Sequence, residues 1–261
     1  MRALNIAATG MQAQQLNVEV ISNNIANINT TGYKQQRAEF QDLLYENLRR
    51  PGAPSSDADT IVPAGVQLGL GVKTAAVYRI DTQGSLLMTE NPLDLAIEGN
   101  GYFPIDLPDG TVGYTRAGSF QLNAQGQIVT ADGHTLQPGI IVDPTATDVG
   151  VNASGEVLVK LPGQTEEQIV GQIQLANFAN RAGLEAIGDN IFKETAASGA
   201  AALSNPGVDG AGPVRQGFLE ASNVNVVGEL TNMITAQRAY EMNSKVIQTT
   251  DEMYSAVTQM R

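Results

Sequence analysis

The sequence predicts an α+β protein: long N- and C-terminal helices pairing as a coiled coil, an all-β central domain and an extended hairpin-like arm. Three observations predict it. Apolar residues recur with heptad spacing at both ends of the chain. The interior consists of short alternating stretches separated by turn dipeptides. The excess negative charge is confined to that interior.

At the N-terminus Leu4, Met11, Val18 and Ile25 recur every seven residues, with Ala7, Gln14, Ile21 and Ile28 interleaved. Such 4-3 spacing lines one face of a helix and makes a coiled-coil seam. The helix is expected over Ala3 to Ala26, roughly 36 Å at about 1.5 Å per residue. Asn27 to Gly32 stops it, Gly32 being suited to a left-handed C-cap. Residues 1–32 therefore form a helical segment and 33–77 a connecting arm. Phe40, Leu43, Leu44 and Leu48 have helix-like spacing, which fits a second short helix or an irregular arm. Arg50 to Pro63, rich in proline and small polar residues, reads as a loop or extended excursion. Val66, Leu68 and Leu70 alternate with polar residues or glycine, as do Val72, Thr74 and Ala76. With Gly69 and Gly71 they read as a strand pair or long hairpin arm.

Residues 78–220 read as a β-rich outer domain, with turns at Asn91-Pro92, Asp109-Gly110, Gln125-Gly126 and Asp132-Gly133. One hairpin is expected between Tyr114–Leu122 and Gln127–Thr130. Another is expected between Val149–Val151 and Val157–Leu161. Ile169–Phe178 reads as one strand and Gly199–Pro213 as a loop.

Residues 221–261 form the second long helix, capped by Asn225, with Glu229 in its first turn. It should run to about Met260, roughly 50 Å. Val226, Met233, Tyr240, Ile247 and Tyr254 repeat every seven residues, interleaved by Leu230, Gln237, Ser244, Asp251 and Thr258. A second stripe holds Val246, Met253, Val257 and Met260. A helix apolar on more than one side must be buried on more than one side. The N-terminal helix alone cannot cover it, and further copies of the chain are the simplest cover. A two-helix coil with some exposed apolar residues is the alternative. Gln14, Gln237 and Ser244 at inner positions would set register at a cost in stability.

The net charge is −12, and 17 acidic against 5 basic residues between Asp81 and Glu220 account for all of it. A basic footprint for nucleic acid is missing. No stretch approaches 18 consecutive apolar residues, so no membrane insertion is expected, and no cleaved secretory signal is expected at the N-terminus. Without cysteine and with His134 as its one histidine, the chain has no disulfide, thiolate site or histidine cluster. Gly69 to Thr74 departs from the phosphate-loop pattern, and Asp106/Asp109 and Glu166/Glu167 lie in turns or polar loops. Neither catalysis nor a cofactor is expected.

Several blocks resemble one family. Ser22 to Lys34 (SNNIANINTTGYK) is similar to the N-terminal block of bacterial flagellar rod and hook proteins. Asn91 to Phe103 (NPLDLAIEGNGYF) and Tyr114 to Phe120 (YTRAGSF) resemble two further blocks. Glu220 to Asn225 (EASNVN), Met233 to Glu241 (MITAQRAYE) and Asp251 to Met253 resemble the C-terminal one. The region Pro51–Gly84, with its Gly69-Leu70-Gly71-Val72 core, resembles the insertion of the distal part of the rod.

That resemblance implies helical self-assembly into a hollow, rigid rod that transmits torque from motor to hook. The paired terminal helices would line the inside and the β-body would face outward, with the arm packing against neighbours. It implies proximal rod and hook subunits, the surrounding basal-body rings and the flagellar type III export apparatus as partners, and a place in the basal body across the periplasm. A proximal rod or hook subunit of the same family is the nearest alternative. A secreted β-rich binding module or hydrolase with a helical stalk is the alternative from another class.

Overall fold

The computed structural model describes residues 2–49, 64–163 and 166–259. The expected loop Arg50–Pro63, Met260 and the side chain of Val257 lie outside the described residues. Two long helices bracket a run of short strands: α1 covers Arg2–Ala26 and α2 covers Val226–Gln259. Straight-chain residues and alanine dominate α1, a composition with strong helix propensity. Asn225 caps α2, its Oδ1 accepting from the Gly228 amide at 3.1 Å.

The chain divides into two compact units. One comprises Met1–Ile25, Gln36–Tyr78 and Asn225–Arg261; the other comprises Ala26–Gln35 and Arg79–Val224. In the first unit lie β1 (Gln36–Asp42), β2 (Tyr45–Arg49), β3 (Val66–Gly69) and β4 (Val72–Arg79, its last residue belonging to the second unit). β2 pairs antiparallel with β3, with Tyr45 opposite Gly69, and β1 is hydrogen-bonded to β4. The short helix considered for Phe40 to Leu48 is therefore absent. Leu44 and Leu48 are exposed, so their helical spacing marks no buried face, and the backbone groups are satisfied by pairing with Val66–Arg79.

The second unit holds sixteen of the assigned strands. They are β5 (Leu86–Met88), β6 (Leu95–Ile97), β7 (Phe103–Asp106), β8 (Val112–Thr115), β9 (Phe120–Leu122), β10 (Ile128–Thr130), β11 (Thr135–Leu136) and β12 (Asp148–Val151). Then come β13 (Glu156–Lys160), β14 (Gln168–Gln172), β15 (Leu175–Asn177), β16 (Glu185–Gly188), β17 (Ile191–Lys193), β18 (Ala202–Ser204), β19 (Val214–Gln216) and β20 (Phe218–Glu220). Seven form one sheet in the order β16-β17-β8-β7-β11-β10-β9.

Both expected hairpins form. β9 pairs with β10, Phe120 opposite Thr130, and β12 pairs with β13, Val149 opposite Val159. The first is shorter than expected because Gly118 leaves the strand to meet Leu95, whose amide donates to the Gly118 carbonyl at 2.9 Å. The strand expected over Ile169–Phe178 is two. β14 pairs with β13, and β15 joins β18 after the Ile173 amide turns to the Gly155 carbonyl. β18 also interrupts the expected Gly199–Pro213 loop.

The core of this unit is built from alternating inward positions of these strands. Phe103 and Phe120 are fully buried and meet edge to face at 5.2 Å, among Leu95, Ile105, Ile128 and Leu175. A second cluster stacks Tyr102, Tyr114, Phe178 and Phe192 edge to face. Such pairs add about 0.5–1.5 kcal/mol beyond their area burial.

Candidate functional site

In the β-rich unit the family-like blocks converge on Glu220, at the end of β20. Its carboxylate accepts from Lys34 Nζ at 2.7 Å on Oε1 and from Arg116 Nε at 2.5 Å on Oε2. The Gly84 amide donates to Oε1 at 2.9 Å. Lys34 also donates to the Thr82 carbonyl at 2.9 Å, and Arg116 to the carbonyls of Ile97, Gly99 and Gly101. Glu220 is 1 % exposed and Lys34 4 %. Burial is the largest influence on Lys34 and lowers its pKa, with Glu220 opposing it. The charged lysine is thus held against a desolvation cost by the carboxylate and the Thr82 carbonyl.

Backbone geometry serves the same junction. Gly32 has φ +69°, and its amide donates to the Glu220 carbonyl at 2.8 Å. A Cβ there would lie 2.8 Å from the backbone of Arg116 and Ala117, so glycine is required twice over. Asn223 continues the tie: its Oδ1 accepts from the Gln35 amide at 2.7 Å and its Nδ2 donates to the carbonyls of Ile80 and Thr82. The groups named around Glu220 are engaged in structural bonds, and the arrangement fastens the segments 32–35, 80–84 and 220–223 together. Sequence reasoning quoted the blocks that hold Lys34, Arg116, Glu220 and Asn223 without singling these residues out. The available signal was Arg116, one of only 5 basic residues in an acidic body.

In the helical unit, α1 and α2 run antiparallel. Asn24 Nδ2 donates to Glu229 Oε2 at 3.1 Å, both side chains being buried. A Cβ on Gly10 would lie 2.8 Å from Nδ2 of Asn243, so glycine permits a close approach nearly four turns along. Asn24 also binds the arm: its Nδ2 donates to the Gln36 carbonyl and its Oδ1 accepts from the Gln36 amide, each at 2.8 Å. At the other end Gly71, φ +123°, passes against Thr9, whose hydroxyl accepts from the Val72 amide at 3.4 Å and donates to the Ile6 carbonyl at 2.9 Å.

Of the residues expected along the helical seam, Ile21 is buried. Leu4, Met11, Val18, Ile25, Met233 and Ile247 are half-buried, and Val226, Leu230, Tyr240 and Tyr254 are exposed. Ile28 is half-buried beyond the end of α1, in the β-rich unit. Of the second stripe, Val246 and Met253 are exposed. In the arm Val66, Leu68 and Leu70 are exposed, and Gly69, Gly71 and Val72 are half-buried. On α2 the structure buries Glu229, Ala236 and Thr250, with Asn243 half-buried, a heptad column one residue before Leu230, Gln237, Ser244 and Asp251. Small and polar side chains occupy the close contact, and the larger apolar ones border it.

The carboxylates and the histidine form no common site among the described residues. Asp106 accepts from Gln137, and Glu166 and Glu167 are exposed. Asp109 accepts from the hydroxyl and amide of Thr111 and pairs with Lys193, and the Thr111 bonds above all bring its pKa down to about 2. His134 is half-buried in its turn. Among the described residues no three His, Cys, Asp or Glu side chains come together as a metal cluster, and no helix is long and apolar enough to cross a membrane.

Three family models match the chain in order: "Flagella basal body rod protein" over residues 4–34, "Flagellar hook protein FlgE/F/G D1 domain" over 96–159 and "Flagellar basal body rod FlgEFG protein C-terminal" over 215–260. Flagellar basal-body rod protein FlgG of Caulobacter vibrioides is 62% identical over 100% of both chains. Its namesake from Agrobacterium fabrum is 53% identical over 99% of this chain and 98% of its own. That of Buchnera aphidicola from Acyrthosiphon pisum is 46% identical over 99% of each. With the clustered blocks and full-length likeness together, the chain belongs to the FlgG family of flagellar basal-body rod proteins, structural subunits and not enzymes.

Proposed function

We propose that this chain polymerises helically into the distal segment of the flagellar rod, a hollow and rigid shaft that carries torque from the motor to the hook. The observation that carries the reading is the apolar surface left on α2, where Val226, Val227, Leu230, Ile234, Val246 and Met253 are all exposed in the single chain. A helix with that much uncovered apolar surface is built for further partners. The terminal helices pair as a coiled coil and form the inner, subunit-contacting part, with the seam Leu4–Ile28 and Val226–Tyr254 shared between copies. Residues 33–77 act as a hairpin arm whose Val66, Leu68 and Leu70 meet neighbouring subunits and keep the shaft straight. Residues 78–220 form the outer body, whose excess of carboxylates suits a solvated surface.

The neighbours along the axis are proximal rod and hook subunits, with the basal-body rings around the shaft in the periplasm and delivery through the flagellar type III export apparatus. Electron microscopy of concentrated protein tests the reading. Straight tubes are expected. Curved or supercoiled tubes would favour a hook-type subunit, and the absence of any polymer would revive a stalked monomer.

A further inference from the structure

We propose that the groove between α1 and α2 receives the outer stripe of α2 from a second copy of the chain. The proposal rests on the polymer reading above and specifies one contact within it. The groove has a volume of about 500 Å³ and is lined by Gln15, Val18, Glu19, Gln237, Tyr240 and Glu241. Val18 and Tyr240 supply its apolar surface, and the exposed Glu19 and Glu241 supply its charge. Because α1 turns by about 100° per residue, Leu4, Met11 and Ile25 continue the Val18 side of the groove along the helix.

A complementary surface lies on the adjoining outward side of α2, with Glu241 at the border between groove and stripe. Val227, Ile234, Arg238 and Lys245 fall within about 40° of one line along the helix. Val227 is 74 % exposed and Ile234 56 %. Arg238 and Lys245 are exposed and join none of the ion pairs among the described residues. An apolar groove with two carboxylates and an apolar stripe with two cations thus occur on the same chain. Since α2 is itself one wall of the groove, it cannot turn its outer stripe into its own groove; another copy must supply it. Lysine and arginine stems can lie along Val18 and Tyr240 while their charged heads reach Glu19 and Glu241. The two surfaces differ, so the contact is heterologous and propagates from copy to copy, as an open helical array requires.

Two charge-reversed variants test it: Glu19→Lys/Glu241→Lys in the groove and Arg238→Glu/Lys245→Glu on the stripe. Circular dichroism first establishes that each folds like the parent. Alone, each should raise the critical concentration for tube formation on the order of tenfold or more. Mixed in equal amounts they should polymerise near the parent's concentration, because each variant's groove then meets the opposite charge on the other's stripe. The contact is overturned if either variant alone polymerises like the parent. A silent mixture overturns it equally, and if a chain carrying all four substitutions then polymerises where the mixture does not, the pairing lies within one chain. A parent chain that never polymerises overturns the polymer reading itself and this contact with it.

Discussion

Glu220 sits 2.7 Å from Lys34, a residue 186 positions earlier in the chain, and it is the only carboxylate facing both Lys34 and Arg116 in the described ion pairs. One acidic side chain therefore holds two buried cations, and backbone carbonyls take up what remains of their donors. Replacing Glu220 with Gln keeps the shape and removes the charge. Stability of the β-rich unit should fall by about 3–5 kcal/mol, the cost of leaving buried charge uncompensated. Urea unfolding followed by tyrosine fluorescence measures it, and a loss below about 1 kcal/mol would show that the carboxylate is dispensable.

Gly32→Ala should be costly for a different reason. The left-handed backbone and the fixed main chain at 2.8 Å leave no room to relax, so a loss of about 1–3 kcal/mol or more is expected. Gly133→Ala, also at positive φ but with nothing within 4 Å, is the control that carries the conformational term alone.

Asn24→Asp should make the helical unit sensitive to pH. It would place a second carboxylate about 3 Å from Glu229 and raise the folded-state pKa of that pair. A raised carboxyl pKa gives stability that is present in acid and lost as pH rises through the folded value. The variant should therefore melt lower than the parent at pH 7 and approach it near pH 4. Thermal melts by helical circular dichroism decide it, and a pH-independent difference would refute the expectation.

Asp109 has the opposite sign. Its folded pKa, about 2, lies below the ordinary aspartate value of 3.8 because Thr111 donates two bonds to it. The contribution is present above pH 3.8 and fades as pH falls toward about 2. Carboxyl NMR titration should find this late midpoint, and Thr111→Ala should move it back toward 3.8. An unshifted midpoint in that variant would remove Thr111 as the cause.

Ile21→Asp places a charge at a buried position of α1 and should cost several kcal/mol locally. Polymerisation should be lost while the aromatic cluster of the β-rich unit keeps its near-ultraviolet signal. Mild proteolysis should then trim both ends to a body near residues 26–224. Simultaneous loss of the body signal would show that the two units do not fold independently.

The sequence made the long helices legible because their apolar pattern runs for many turns, and it made the hairpin of Val149–Val151 with Val157–Leu161 legible through the turn residues Ser154-Gly155 between them. On α2 the expected column Leu230, Gln237, Ser244 and Asp251 stands one residue after the one the structure uses, because the close contact is made by Glu229, Ala236 and Asn243. Apolar patterning cannot reveal a contact built from an alanine, a glycine and amides. The Glu220 junction was hidden for a related reason. Its three charged members are spread over the chain, and nothing local to Lys34 or Arg116 announces burial. The Phe40–Leu48 ambiguity came from a short apolar run, which a helix and a paired strand satisfy equally well until the partner strand is known.

Residues 79–224 make up one compact unit with Ala26–Gln35, and the flanking segments fold into the other. In sequence the β-rich unit thus interrupts the helical frame twice, once between Ile25 and Gln36 and once between Tyr78 and Asn225. Its surface is free to lengthen, shrink or change charge while the frame keeps its register, provided Glu220 of the longer segment keeps its clasp on Lys34 of the shorter one. A lineage can in this way remodel one unit of the chain without altering the thread carried by the other.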